Sequence, residues 1–211
     1  WESVIPDFPA DAKGLATRES SSKVLNPIAD KIPWFMGGSA DLGPSTKTYI
    51  KEASSFNKEN YGGRNFHFGV REHAMGAIIN GMSLSKLRAY GATFFVFSDY
   101  VRPAIRLSSL MKLPVIYIFT HDSIGVGEDG PTHQPVEHLA SLRAMPGLDV
   151  IRPSDANELS VMWKYIMGLK DRPVALVLSR QGMPTLDRPK HASAEGALNG
   201  AYVLIESDGT P

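Results

Sequence analysis

Val115-Ile116-Tyr117-Ile118-Phe119 runs directly into Thr120-His121-Asp122-Ser123-Ile124-Gly125-Val126-Gly127-Glu128-Asp129-Gly130-Pro131-Thr132-His133-Gln134-Pro135. The first five residues are β-branched or aromatic and of strand length, the pattern of a strand buried on both faces. Residues 120–135 cannot continue it, because three glycines and two prolines in sixteen positions dictate a loop. In an open α/β sheet, the exit of a buried strand is where ligands bind. Two histidines, three acids and three glycines at such an exit mark a binding loop rather than a plain connection.

Outward from this stretch, apolar runs of strand length alternate with amphipathic stretches. Residues 66–68, 93–97, 115–119, 149–151 and 174–178 read as short buried strands, with 34–36 as a further candidate. Helices are expected over 72–86, 101–112, 136–145 and 156–169, the last capped by Ser154 or Asp155. This alternation predicts a doubly wound α/β fold with a mainly parallel central sheet and helices on both faces. Residues 1–14 are proline-rich and aperiodic and read as a linker, so the domain is expected over 15–189. Residues 190–211 read as a second linker, in which Ala201-Tyr-Val-Leu-Ile205 opens a fresh strand that stops at Ser207-Asp-Gly-Thr-Pro211. No internal repeat or low-complexity tract interrupts the chain.

Composition narrows the function classes. Lysine and arginine number 22, matching 22 aspartates and glutamates, so no overall field draws the chain to nucleic acid or to an anionic membrane. Any anion site must be local. With no cysteine there is no disulfide, iron–sulfur cluster or thiolate zinc site, a composition compatible with the cytoplasm. No apolar run reaches membrane-spanning length.

Two familiar site types fit the loop poorly. Gly125, Gly127 and Gly130 match the spacing of a dinucleotide fingerprint, but Glu128 and Asp129 would set two carboxylates beside the phosphates. Pro131 and Pro135 also disrupt the helix such a cradle needs. A metal site from His121, Asp129 and His133 has no helical spacing behind it, so no metal ligands are assigned within the chain.

Other residues stay open on their own. Glu72 opens an expected helix, where a carboxylate either favours the positive end of the helix dipole or does chemistry. Phe94 and Phe97 are strand-type aromatics, which either pack in a core or hold a flat ligand. Glu72, Met75, Gly76 and Ile79 share one helical face, with Gly76 permitting close approach by another element, either in the core or at a homodimer seam.

Six segments in order carry a family resemblance: Leu15-Ala-Thr-Arg18, Gly38-Ser-Ala-Asp-Leu42, Phe68-Gly-Val-Arg-Glu-His-Ala-Met75, Thr93-Phe-Phe-Val-Phe97, the loop at 120–135, and Leu178-Ser-Arg-Gln181. Together they resemble the middle, pyrimidine-binding domain of transketolase over nearly the whole chain. The resemblance implies thiamine diphosphate as cofactor, with Glu72 as a catalytic carboxyl group at the pyrimidine ring nitrogen. It implies that Phe94, Phe97 and Tyr100 surround the aminopyrimidine and that Asp41 faces the thiazolium region. Arg18, Ser45, His121 and Arg180 match the residues that contact the sugar phosphate, two planar guanidinium forks suiting phosphate oxygens. Asp129 and His133 match those that take the sugar hydroxyls, and His121 and His133 join Glu72 as the expected catalytic residues.

The family's diphosphate-binding domain, with its Gly-Asp-Gly…Asn magnesium motif, and its C-terminal domain have no counterpart in the 211 residues. The resemblance therefore implies a fragment, inactive alone, with Mg2+ or Ca2+ held in the absent domain. Cofactor would sit between this domain and the diphosphate-binding domain of a second subunit in a homodimer. The expected reaction moves a two-carbon ketol unit from a ketose phosphate to an aldose phosphate. Dihydroxyacetone synthase, deoxyxylulose-phosphate synthase and a non-catalytic binding or assembly domain are the alternatives.

Overall fold

The computed structural model describes residues 1–206 and 209, so positions 207, 208, 210 and 211 of the expected C-terminal linker lie outside the described residues. In chain order the elements are β1 (Asp11–Ala16), α1 (Thr17–Lys31), β2 (Phe35–Ser39), α2 (Gly43–Thr46), β3 (Asn65–His67), α3 (Glu72–Leu84), β4 (Arg88–Phe94), α4 (Ser98–Leu110), β5 (Ile116–Thr120), α5 (His138–Arg143), β6 (Asp149–Ile151), α6 (Ala156–Gly168), β7 (Val174–Leu178) and β8 (Gly182–Thr185). Among the described residues, six strands form one sheet in the order β3-β2-β4-β5-β7-β6. Every neighbouring pair in it is parallel. This is the expected doubly wound architecture.

The unbroken apolar run of β5 is explained by burial on both sides. Ile116 and Ile118 join Tyr90, Ala92, Leu176 and Leu178 beneath Val24, Leu25 and Ile28 of α1 and Leu159, Trp163 and Ile166 of α6. Tyr117 and Phe119 point the other way, to Met75 and Ile79 of α3, Val101, Ala104 and Ile105 of α4 and Leu142 of α5. Two cores thus share one sheet, each fully buried large side chain worth about 1.5–3 kcal/mol.

Several expectations needed correction. The strand expected over 93–97 ends at Phe94, and Phe95–Phe97 form a 3-10 turn that leads into α4. That helix runs Ser98–Leu110 rather than 101–112, with Pro103 inside it. Helix α5 is only His138–Arg143, shorter than the expected 136–145. Helix α1 was not expected at all. The antiparallel pair β1–β8 was also unexpected. No strand forms over 201–206; instead the Tyr202 hydroxyl donates to Glu158 Oε1, and Arg188 Nη1 donates to the Tyr202 oxygen at 2.9 Å. The Asp155 cap is present, Oδ1 accepting from Glu158 N at 2.9 Å, whereas Ser154 uses its own backbone N–H on Glu158.

Candidate functional site

Parallel register decides where the loops emerge. Ser39 pairs with Ala92, Phe94 with Thr120 and Thr120 with Leu178, so β2, β4, β5 and β7 release their chains along one edge of the sheet. That edge carries Asp41, Phe94, His121 and Arg180, and the start of α3 brings Glu72 to it.

Glu72 is the first residue of α3 and only 6% exposed. Thr93 Oγ1, fully buried in β4, donates to Glu72 Oε1 at 3.2 Å. Among the described residues this is the one hydrogen bond to the carboxylate. The helix N-terminus favours its negative charge, so the structural role left open in the sequence is real and coexists with an available second oxygen.

The residue after Thr93 begins an aromatic cluster. The Phe94 ring lies 3.7 Å from the His121 ring, centroid to centroid, and 6.2 Å from Phe97 with the two planes within 4° of parallel. His133 stands edge-on to both phenylalanines, at 6.3 and 5.5 Å. Tyr100 reaches Phe97 at 6.0 Å but is otherwise exposed, at the rim of the cluster.

His121 departs from the strand at φ +61, a left-handed conformation that turns its ring back over Phe94. Thr120 Oγ1 and His121 Nδ1 are 3.0 Å apart, and His121 Nε2 is 3.9 Å from Asp129 Oδ2. Burial, aided by the nearby Arg18 charge against the opposing pull of Asp129, and then by Arg180 and His133, pushes the imidazole down to about 4. His121 is therefore neutral near pH 7. The loop beyond it folds as two 3-10 turns, Gly127–Asp129 and Pro131–His133, pinned by a fully buried Val126. The three glycines lead into the 3-10 turn at Pro131–His133, and the next α-helix begins only at His138.

The cationic side of the site is assembled across the chain. Thr17 N donates to Ser179 Oγ at 3.0 Å and Ser179 N donates to Thr17 Oγ1 at 2.7 Å, locking the start of α1 to the end of β7. Arg18 and Arg180 are the next residues on each. Burial first, and then Arg180, lower the Arg18 pKa, with Glu19 and Asp129 opposing. Arg18 Nη1 donates to the Ser45 carbonyl at 2.8 Å, which brings Ser45 into the same group. Arg180 lies against Gly127, where a Cβ would come within 3.0 Å of its guanidinium carbon; its ion pair is with the exposed Glu128, at 3.7 Å. Two neighbouring guanidinium groups, neither paired with a buried carboxylate among the described residues, suit an anion with several oxygens.

The structure thus gathers Arg18, Ser45, Phe94, Phe97, His121, Asp129, His133 and Arg180, with Glu72 one residue away through Thr93. Asp41 stays exposed at φ +63 with no side-chain hydrogen bond or ion pair among the described residues. Sequence reasoning missed Thr93, Thr120 and Ser179, buried hydroxyls that brace the site. Their signal was faint: Thr120 and Ser179 follow apolar strand runs, and Thr93 lies within one. The face of α3 bearing Met75, Gly76 and Ile79 is core, since a Cβ on Gly76 would lie 2.6 Å from Val101 Cγ2 and 2.7 Å from Ala104 Cβ.

Comparison with known proteins agrees with this geometry. A profile described as "Transketolase, pyrimidine binding domain" matches residues 13–185. Transketolase of Halalkalibacterium halodurans is 58% identical over 211 residues, covering 100% of this chain and 32% of the relative. A crystal structure of Pichia stipitis transketolase in complex with sedoheptulose 7-phosphate superposes with a TM-score of 0.92 at 44% identity, covering 99% of this chain and 31% of that one. A split-gene transketolase described as an inactive β4 tetramer gives a TM-score of 0.67 at 29% identity, over 83% of this chain and 55% of that one. The chain spans about a third of the length of the full-length relatives it matches, and with its fold, its site and its sequence all in accord, it belongs to the transketolase pyrimidine-binding domain family.

Proposed function

We propose that this chain supplies the pyrimidine-holding half of a thiamine diphosphate site in a transketolase that moves a two-carbon ketol unit from a ketose phosphate to an aldose phosphate. The observation that carries the reading is the buried Glu72 carboxylate, held by Thr93 and one residue from the parallel rings of Phe94 and Phe97. These residues fit an aminopyrimidine, whose flat ring suits aromatic faces and whose ring nitrogen suits a carboxyl group with a free oxygen. When bound, the cofactor supplies the carbanion chemistry of carbon–carbon cleavage. Glu72 holds the proton at the ring nitrogen, Phe94 and Phe97 fix the ring plane, and Tyr100 closes the rim. Asp41 lies on the thiazolium side.

Arg18, Arg180, Ser45 and His121 bind the sugar phosphate, and Asp129 and His133 take sugar hydroxyls. The Asp129 carboxylate, near the His121 imidazole, distinguishes a hydroxyl from its absence, because the unmatched site leaves polar groups unpaired. The diphosphate and its Mg2+ or Ca2+ belong to a diphosphate-binding domain of a second subunit in a homodimer. Among the described residues, Asp99, Glu137 and His138 form the one cluster of metal-type side chains, and it shares no residue with the group around Glu72 and His121. The inactive β4 assembly of the split relative supports the view that such a domain needs its companion. Naming of the curated relatives as transketolases supports ketol transfer over dihydroxyacetone synthase, deoxyxylulose-phosphate synthase or a non-catalytic module.

Substitution Glu72→Gln in the full-length enzyme tests this. Loss of a positioned proton-sharing group is expected to lower turnover at saturating cofactor by about a hundredfold or more, with the fold retained. Turnover within a few fold of the parent would contradict the assignment.

A further inference from the structure

The hydroxyl next to His121 has a determined direction. Thr120 is fully buried, and among the described residues the single hydrogen-bond partner of its Oγ1 is His121 Nδ1, at 3.0 Å. A buried hydroxyl donor that finds no acceptor is left at a penalty of about 1–3 kcal/mol. Within reach, the imidazole nitrogen is the acceptor that avoids it. The Thr120 hydroxyl must then donate to Nδ1, and a neutral imidazole that accepts at Nδ1 carries its hydrogen on Nε2. That nitrogen lies 3.9 Å from Asp129 Oδ2, too far for a direct bond, but a carboxylate at this distance favours an N–H over a lone pair there. The hydrogen bond at one ring nitrogen and the carboxylate near the other thus favour the same tautomer.

We propose that Thr120 is a positioning residue that fixes His121 as its Nε2–H tautomer, so that the ring presents a donor to a substrate oxygen. The consequence rests on the ketol-transfer reading above, but the tautomer itself does not. A neutral histidine contributes to phosphate binding as an oriented N–H rather than as a charge, and only one tautomer directs that N–H into the site. The opposite tautomer would set a lone pair against both the phosphate oxygens and Asp129, replacing attraction by repulsion. The left-handed backbone at His121 and the ring contact with Phe94 leave the imidazole no free rotation to compensate. Thr120 thereby connects the last hydrogen-bonded position of β5 to the polarity of the substrate pocket.

Nitrogen-15 NMR of histidine in the purified chain reads the tautomer directly, without cofactor or substrate. The parent chain is expected to give, for one histidine resonance removed by His121→Asn, an unprotonated shift at Nδ1 and a protonated shift at Nε2. Thr120→Val, which keeps the side-chain shape, is expected to move both shifts toward a mixed population, and Thr120→Ser to restore the parent pattern. In the full-length enzyme, Thr120→Val should lower kcat/KM for a phosphorylated ketose about tenfold, the value of one hydrogen bond of about 1.4 kcal/mol, with recovery in Thr120→Ser. A protonated Nδ1 in the parent, or unchanged histidine shifts in a folded Thr120→Val chain, would overturn the proposal. If the shifts respond but kcat/KM does not, the tautomer assignment stands and its service to ketol transfer is refuted.

Discussion

At the scale of single residues, His121 shows how a fold converts a titratable group into a fixed one. Its ring is 3% exposed and shares its surroundings with Arg18 and Arg180, so the folded chain resists protonating it down to about pH 4. The unfolded chain takes up that proton near the ordinary histidine value of about 6.5. Between these values the unfolded state binds more protons, so stability is fully present above about 6.5 and is lost as the pH falls toward 4. Over the window the loss from this one group is about 3 kcal/mol at most. Urea unfolding of the parent and of His121→Asn from pH 7 to pH 4 checks this: the variant should lose markedly less stability on acidification. Equal slopes would contradict it. Glu72, Phe94, His121, Arg18 and Arg180 were legible in the sequence because each sits inside an ordered family motif. Thr93, Thr120 and Ser179 were not, because a hydroxyl within or just after an apolar strand has no spacing that separates a structural bond from a bond to a functional group.

At the scale of elements, strands β5 and β7 were legible because burial on both faces leaves uninterrupted apolar runs, whereas β6 is a half-buried edge strand whose Val150-Ile151 alone marked it. Helix α1 was hidden for the opposite reason. It is polar on most of its length, with Val24, Leu25 and Ile28 as its large buried side chains and Pro27 inside it, a residue that ordinarily argues against a helix. The β1–β8 pair carries little apolar signal, and its close approach depends on Gly14 at φ +61, where a Cβ would overlap the Met183 carbonyl. A similar dependence sets the distance between α3 and α4. Val in place of Gly76 would drive a branched side chain into Val101 and Ala104, and helix α3 must move outward, taking Glu72 with it. Overpacking of this kind costs about 1–3 kcal/mol. Gly76→Val should therefore lower the denaturant midpoint and, in the full-length enzyme, weaken cofactor binding as well. An unchanged midpoint would show that the helices have slack the packing does not suggest.

At the scale of the whole molecule, fold class came from the alternation of strands and helices, whereas the site did not come from fold class. Arg18 and Arg180 are brought together by Thr17 and Ser179, a contact across 162 residues that no local pattern announces. On the proposed reading, the described residues hold the pyrimidine ring and a sugar phosphate, while the diphosphate and its metal belong to another domain. Binding energy is then divided between two domains, and half a site loses more than half the affinity in logarithmic terms, because the ordering cost of the ligand remains. A cofactor held at one end also loses the orientation that makes its chemistry fast. The decisive experiment is calorimetric titration of thiamine diphosphate and Mg2+ into the purified 211-residue chain, with a ketol-transfer assay on the same sample. Binding much weaker than micromolar and no turnover are expected; micromolar binding with turnover would contradict the division of the site between two domains.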